Sequence, residues 1–282
     1  MSVAPPFTPP NAGELIPCSI GTITIIQELH SGHFGLTYLA RDEWGNDLVV
    51  KVHKPNGTYE EIRSNWAQEH SNLRALRHPN ITYIYDAFEY NYTFYIVMER
   101  CSGTLDSLIK NPSVNKPILI LPLARCILQG LSFMHRAGYV HKDIHAGNVF
   151  WTFQRDEFGL ADKQAVCFKI GDLGISRLAQ DINIFGTVMA KWMLPPEFLD
   201  PASFGFVNTQ VDIYHTALLL LTMALGYTPA FTNDDIVRGE PRKLAESLAS
   251  PLGAPLSRAL RRHVNQRTQT PLQFWQELSA AR

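Results

Sequence analysis

The sequence predicts an α+β chain, with strands gathered in about the first hundred residues and helices after them. Three observations carry this. The runs Ile20 to Ile26, Leu36 to Arg41, Asp47 to Val52, Tyr83 to Tyr90 and Phe94 to Met98 have strand length and strand-type residues. From about Leu105 onward the chain reads as helical. Finally, the loop His141-Lys142-Asp143-Ile144-His145-Ala146-Gly147-Asn148, followed 24 residues later by Asp172-Leu173-Gly174, concentrates polar groups suited to chemistry.

Each element has a local reason. Trp44-Gly45-Asn46-Asp47 reads as a hairpin turn, and Asn91 marks the turn between the last two strands. The stretch from Tyr59 to Leu76 places Ile62, Trp66, Leu73 and Leu76 at helical spacing. Leu105 to Ile109 reads as a short helix. A second is expected over Pro122 to Ala137, with its proline in the first turn, where a missing N–H costs least. A third is expected over Thr209 to Leu225, where Thr209 and Asp212 have capping-box spacing.

Composition narrows the function. With 45% apolar and 11% aromatic residues among 282, one large domain or two small ones can bury a full core. A net charge of −1 argues against a nucleic-acid binder that relies on phosphate contacts. Cys18, Cys101, Cys126 and Cys167 are scattered without metal spacing and read as reduced thiols. The mostly apolar run Ala217 to Leu225 is too short for a bilayer, so no membrane span is expected. Residues 1–17, with five prolines and no basic start, read as a flexible Pro-rich tail rather than a secretory signal. His141 and His145 lie four apart, but in a loop with no third ligand at an obvious spacing, so zinc is not expected.

The polar loop holds what phosphoryl transfer from a nucleotide requires. Asp143 can orient an attacking hydroxyl, while Asn148 and Asp172 supply hard oxygens for Mg²⁺. These residues resemble the protein-kinase catalytic loop, usually H-R-D-x-x-x-x-N, and its D-F-G metal motif. Other stretches resemble the same family in order. Leu29-His30-Ser31-Gly32-His33-Phe34-Gly35-Leu36-Thr37-Tyr38 is similar to the glycine-rich loop, and Leu48-Val49-Val50-Lys51-Val52 to the lysine-bearing strand. Glu69 precedes His78-Pro79-Asn80-Ile81 at the family's spacing. Pro195-Pro196-Glu197 resembles A-P-E, Asp212 the aspartate that anchors the catalytic loop, and Arg267 the arginine that pairs with the A-P-E glutamate.

The resemblance implies a bilobal protein-kinase-like fold. Residues 18–101 would form a small mostly-β N-lobe and hinge, and residues 102–282 a larger mostly-α C-lobe. It implies ATP and Mg²⁺ as cofactors, Asp143, Lys51, Glu69 and His145 as catalytic residues, and Asn148 and Asp172 as metal ligands. Gly32, Phe34, Gly35, Thr37, Val49, Lys51, Met98, Glu99, Cys101 and Phe150 would bind the nucleotide, Glu99 and Cys101 through backbone groups of the hinge.

Several positions depart from the pattern. His30 replaces the first glycine of the loop, Thr37 a valine, Val49 an alanine and Leu173 a phenylalanine. Lys142 replaces arginine and loses its bidentate fork. His145 stands where serine/threonine kinases carry lysine, and a protonated His145 would stabilise the transferring phosphate. Histidine there is seen in kinase-like small-molecule phosphotransferases.

Glu197 and Arg267 together favour a protein substrate. Gly186-Thr187 resembles the G-T of serine/threonine kinases, Lys191-Trp192-Met193 resembles a tyrosine-kinase sequence out of register, and no tyrosine lies between Asp172 and Glu197. The expectation is therefore phosphorylation of serine or threonine. Ser176 and Thr187 are the candidate autophosphorylation sites, where an added phosphate would pair with Lys142, while Asp181 reads as merely solvated. The alternatives are a small-molecule phosphotransferase and a nucleotide-binding pseudokinase scaffold. The expected location is cytoplasmic, compatible with delivery into a host cell.

Overall fold

In the computed structural model, residues 7–32, 35–54, 57–155, 164–173, 177–178 and 194–281 are described. The chain divides into two compact units, one formed by 1–77 and 82–100, the other by 78–81 and 101–282.

The first unit is a six-stranded antiparallel sheet with one helix. Its strands are β1 (Leu15–Cys18), β2 (Gly21–Ser31), β3 (Gly35–Arg41), β4 (Asp47–His53), β5 (Ile84–Tyr90) and β6 (Thr93–Glu99), in spatial order β1-β2-β3-β4-β6-β5. β1 lies partly inside the stretch that the sequence reads as tail. Leu15 to Pro17 pair with β2 and Ile16 is fully buried, because an apolar side chain at a sheet edge gains more by joining the core than by remaining solvated. Strand alternation sorts β4 cleanly. Leu48, Val50 and Val52 enter a core with Ile23, Ile25, Leu36, Tyr38, Tyr95 and Val97, while Val49, Lys51 and His53 take the other face.

The turns follow local chemistry. Between β3 and β4, Asp42 rather than Asp47 organises the reversal, its Oδ1 accepting from the N–H of Trp44 at 2.9 Å and of Asn46 at 2.8 Å. Asn91 and Tyr92 both have positive φ, 49° and 57°, as a two-residue hairpin with the strands' twist requires. Helix α1 (Tyr59–Ala75) starts at a capping box in which Thr58 N–H donates to Glu61 and Glu61 N–H donates to Thr58 Oγ1. Ile62 and Leu76 are buried as the spacing predicts.

The second unit is mainly helical. It opens with β7 (Gly103–Thr104), α2 (Leu105–Lys110) and α3 (Lys116–Arg136). Then come β8 (Tyr139–Val140), β9 (Val149–Arg155), β10 (Gln164–Ile170) and β11 (Arg177–Leu178). The remaining helices are α4 (Pro196–Leu199), α5 (Pro201–Phe204), α6 (Gln210–Leu225), α7 (Asn233–Arg238), α8 (Glu240–Glu246), α9 (Gly253–Ala259) and α10 (Pro271–Ala280). β10, β9 and β7 form one small sheet, and β11 pairs with β8.

Two expectations about helices need correction. α3 begins six residues before Pro122, which is therefore interior, and Pro117 takes the first-turn position instead. An interior proline costs a hydrogen bond. Burial of Ile120, Leu123, Ala124, Ile127, Leu128, Leu131 and Met134 against α6, α10 and β10 outweighs that loss. α3 is also long and apolar enough to cross a bilayer by length and composition, which the sequence reading missed by starting it at Pro122. The second correction concerns α6. Thr209 makes no side-chain cap, and Asn208 Oδ1 accepts the Gln210 N–H at 2.9 Å. Asp212 is turned inward and wholly buried, because it serves another segment.

Candidate active site

In the first unit the predicted nucleotide residues lie along β3, β4 and β6, with Gly32 just past the end of β2. Thr37 pairs with Lys51 across β3 and β4, and Val49 pairs with Met98 across β4 and β6, so these four side chains share one half-buried sheet face. Glu99 ends β6, with its N–H bonded to Tyr83 O and its carboxylate accepting the Tyr83 N–H at 2.6 Å. Gly32 and Gly35 face each other through a 2.9 Å backbone hydrogen bond. A Cβ at Gly35 would lie 2.7 Å from Val52 O, so strand packing by itself demands a glycine there. Lys54, which the sequence reading passed over, holds the loop through 2.8 Å bonds to Gly32 O and Ser31 Oγ. Phe34 lies outside the described residues.

Lys51 and Glu69 meet as the resemblance implies. Lys51 Nζ donates to both Glu69 oxygens, at 2.7 and 2.9 Å. Glu69 is 2% exposed. Burial would raise its carboxyl, yet Lys51 and His53 outweigh that and hold it down at about 2. His53 was not singled out from the sequence, although its position two residues past Lys51 on a strand places it on the same face. Its Nε2 stands 3.3 Å from Glu69 Oε2.

In the second unit the polar loop is fastened from the inside. Asp212 accepts the Lys142 N–H at 2.8 Å on Oδ1, and the His141 N–H at 3.0 Å and His135 Nε2 at 2.8 Å on Oδ2. Burial would raise its carboxyl, but the His135 hydrogen bond and the His135 and His141 imidazoles hold it below its ordinary value. These bonds offset the cost of Lys142 at φ 70°, a conformation that β-carbons resist. His141 is fully buried. Its Nδ1 accepts the Asp143 N–H at 3.2 Å, so the ring proton sits on Nε2 and is donated to Gly171 O at 3.1 Å. One ring thus ties the backbone of Asp143 to the residue before Asp172. Two further bonds reinforce the tie, Asn148 N–H to His145 O and Gly171 N–H to Asn148 O, both 2.9 Å.

The structure brings Asp143, Asn148 and His145 together. Asn148 Nδ2 donates to Asp143 Oδ2 at 3.0 Å and to Asp143 O at 3.1 Å. His145 Nδ1 accepts the Gly147 N–H at 3.0 Å, which puts its proton on Nε2, 3.6 Å from Asp143 Oδ2. A Cβ at Gly147 would lie 2.8 Å from His145 Cε1, so the glycine is what lets the ring fold back. Burial would raise the Asp143 carboxyl, but His145 chiefly, then His141 and His215, hold it below its ordinary value. Both side-chain contacts fall on Oδ2, and Oδ1 has no partner among the described residues. Asp172 is exposed and left-handed at φ 54°, which aspartate tolerates better than most residues. Phe150 pairs with Thr104 and Lys169, and Cys101 opens the unit half-buried. Ser176, Asp181, residues 186–187 and residues 191–193 lie outside the described residues.

Farther along, Arg267 meets Glu197 in a bidentate pair at 2.7 and 2.8 Å, with both side chains fully buried. The guanidinium also donates to the carbonyls of Arg261, Gln210 and Arg262 and lies over the Tyr214 ring. Its planar fork suits all these partners at once, which a lysine would not.

Comparison with known proteins agrees with this geometry. The chain is 29% identical over 206 residues to the probable serine/threonine-protein kinase zyg-1 of Caenorhabditis briggsae, covering 72% of this chain and 27% of that protein. It is 26% identical over 237 residues to the serine/threonine-protein kinase sid1 of Schizosaccharomyces pombe, covering 82% and 48%. It is 26% identical over 239 residues to the human cytoplasmic tyrosine-protein kinase BMX, covering 76% and 33%. The chain thus spans less than half the length of each of these relatives. The protein kinase domain profile matches residues 23–275, which takes in the Lys51–Glu69 pair, the Asp143 loop and the Glu197–Arg267 bolt, and so the chain belongs to the protein kinase family.

Proposed function

We propose that this protein kinase uses ATP with Mg²⁺ and transfers the γ-phosphate to serine or threonine hydroxyls of a protein substrate. The observation that carries the reading is the Asp143 carboxylate, held ionised with Oδ2 engaged by Asn148 and flanked by His145. Oδ1 is then the oxygen that orients the substrate hydroxyl and takes its proton as the phosphate transfers. A carboxylate held below its ordinary value is a weaker base than a free one, so its contribution is orientation first and proton acceptance late.

The residues suit a magnesium ion. Asn148 Nδ2 is committed to Asp143, so its Oδ1 is the atom left to ligate, and Asp172 offers an exposed carboxylate. Mg²⁺ is commonly held by one or two such oxygens together with water and phosphate, and needs no protein cage. When bound it would neutralise charge on the phosphates. Lys51, held by Glu69, is suited to the α- and β-phosphates, and Thr37, Val49 and Met98 offer an apolar face for adenine.

Serine/threonine specificity is supported by the names of zyg-1 and sid1 and by Gly186-Thr187. A protein acceptor is supported by the Glu197–Arg267 pair. Ser176 and Thr187 are the proposed autophosphorylation sites. The four cysteines, all thiols, support a reducing cytoplasmic location.

The test is incubation with Mg²⁺ and γ-labelled ATP, alone and with a generic protein acceptor, beside Asp143→Asn. Label on serine or threonine from the wild type alone supports the proposal. Nucleotide binding without transfer would shift the reading to a pseudokinase, and transfer only to small hydroxyl compounds would shift it to a small-molecule phosphotransferase.

A further inference from the structure

α1 reaches the sheet through few side chains, and one of them is charged. Among its described residues only Ile62 and Glu69 are buried, with Trp66 half-buried between them at helical spacing. Trp66 Nε1 donates to Tyr95 O at 3.0 Å, and its ring centroid lies 5.1 Å from that of Phe94. The Glu69 carboxylate is therefore part of what docks α1. A charge this deep destabilises the docked helix unless a partner matches it.

Two residues of β4 face that carboxylate. Lys51 and His53 stand two apart on the strand and so project to the same side. Lys51 is the partner in hand, at 2.7 and 2.9 Å from the two oxygens. His53 is 7% exposed, and its Nε2 stands 3.3 Å from Glu69 Oε2 without the alignment of a hydrogen bond. That nitrogen has no hydrogen-bond partner among the described residues. Buried polar atoms are seldom left unmatched, and the acceptor beside this one is already engaged by Lys51.

We propose that His53 is a positioning residue, a second partner that takes the Glu69 carboxylate when Lys51 is drawn to a nucleotide phosphate, and so keeps α1 docked. This rests on the phosphate role proposed for Lys51. An ammonium shared with anionic phosphates gives less to its carboxylate, and lysine moves between such partners on a flexible four-carbon stem. The imidazole is held by its strand and its burial. A movement of a few tenths of an ångström closes the 3.3 Å gap to an ordinary bond of about 2.9 Å. With its proton on Nε2 the ring donates whether neutral or charged, so the exchange needs no change of pH. Glu69 then keeps a donor with and without nucleotide, and phosphate binding does not loosen the helix.

Two measurements test this. The first needs no nucleotide, so its failure is distinct from failure of the phosphate role. Urea unfolding is followed for wild type, Lys51→Met, His53→Leu and the double variant, with circular dichroism confirming each fold. His53→Leu alone should change stability little, because Lys51 still holds Glu69 and an unmatched buried nitrogen is removed. The double variant should lose more than the two single losses combined, and the excess should vanish when Glu69→Gln is added to all four chains. Additive losses, or an excess that survives Glu69→Gln, would overturn the proposal. The second is calorimetric binding of ADP with Mg²⁺, and of adenosine, to wild type, His53→Leu and His53→Gln. His53→Leu should bind ADP several-fold more weakly and adenosine equally well. His53→Gln, whose amide nitrogen can take the place of Nε2, should recover most of the ADP affinity. An equal loss for both ligands, or none for either, would also overturn the proposal. Wild-type protein that binds ADP no better than adenosine would overturn the exchange through the phosphate role, while the shared hold on Glu69 is decided by the first measurement.

Discussion

Glu69 and Asp212 are both carboxylates withdrawn from water, one in each unit, and they are compensated in different ways. Glu69 is met by side-chain nitrogens, bidentately by the Lys51 ammonium and at 3.3 Å by the His53 ring. Asp212 is met by two backbone N–H groups and the ring of His135. The difference matches what each must hold. Glu69 holds a single flexible ammonium whose charge the proposed chemistry needs, so compensation and function are the same contact. Asp212 holds a backbone shape, including Lys142 at positive φ, and reaches no reacting group. A buried charge paired with a cation can tune a site, whereas one paired with amides fixes it.

Five substitutions probe this contrast. Asp143→Asn keeps the size of the side chain and removes the base, so kcat should fall by about 10²–10⁴-fold with unchanged thermal stability. A loss of fold in circular dichroism would instead make Asp143 structural. Arg267→Ala strands Glu197 as a buried charge, and urea unfolding should show a loss of about 3–5 kcal/mol. Asp212→Asn can accept fewer of the three donors and leaves at least one buried N–H unmatched, a loss of about 1–3 kcal/mol. Its activity should fall with stability, whereas Glu69→Gln should lose activity beyond its loss of stability, because Lys51 is released.

Glu69 also makes a prediction in pH. Its carboxyl is depressed from 4.5 to about 2, so its contribution to stability is fully present above about 4.5 and is lost as pH falls through about 2. The urea midpoint of the wild type should therefore drop between those values more steeply than that of Glu69→Gln; parallel curves would refute the coupling. The smallest expected effect belongs to His145→Ala, a few-fold in kcat, with flattening of the rate profile between about pH 6 and 7.5. An unchanged profile would show that the ring only packs beside Asp143.

Much of the site was legible in the sequence because its spacing is local. Asp143 and Asn148 lie five apart in one loop and do meet. Strand alternation places Val49 and Lys51 on one face before any tertiary contact is known. The reading failed where a residue's partner is distant in the chain. Asp212 looked like part of a helix cap because its real partners lie about 70 residues upstream. Pro122 looked like a helix start because the local cost of an interior proline is visible, while the burial that overrides it is not. His53 and Lys54 carried no motif at all.

The sequence by itself determined the order of strands and helices, the family and the residue types available for phosphoryl transfer, since these depend on periodicity and short spacings. Only the tertiary structure decided which nitrogen of His141 and of His145 carries the proton, and that Asp143 Oδ2 is the engaged oxygen. It alone showed that Asp212 faces inward. The physical reason is that hydrogen-bond direction and burial are set by groups that the chain brings together only on folding.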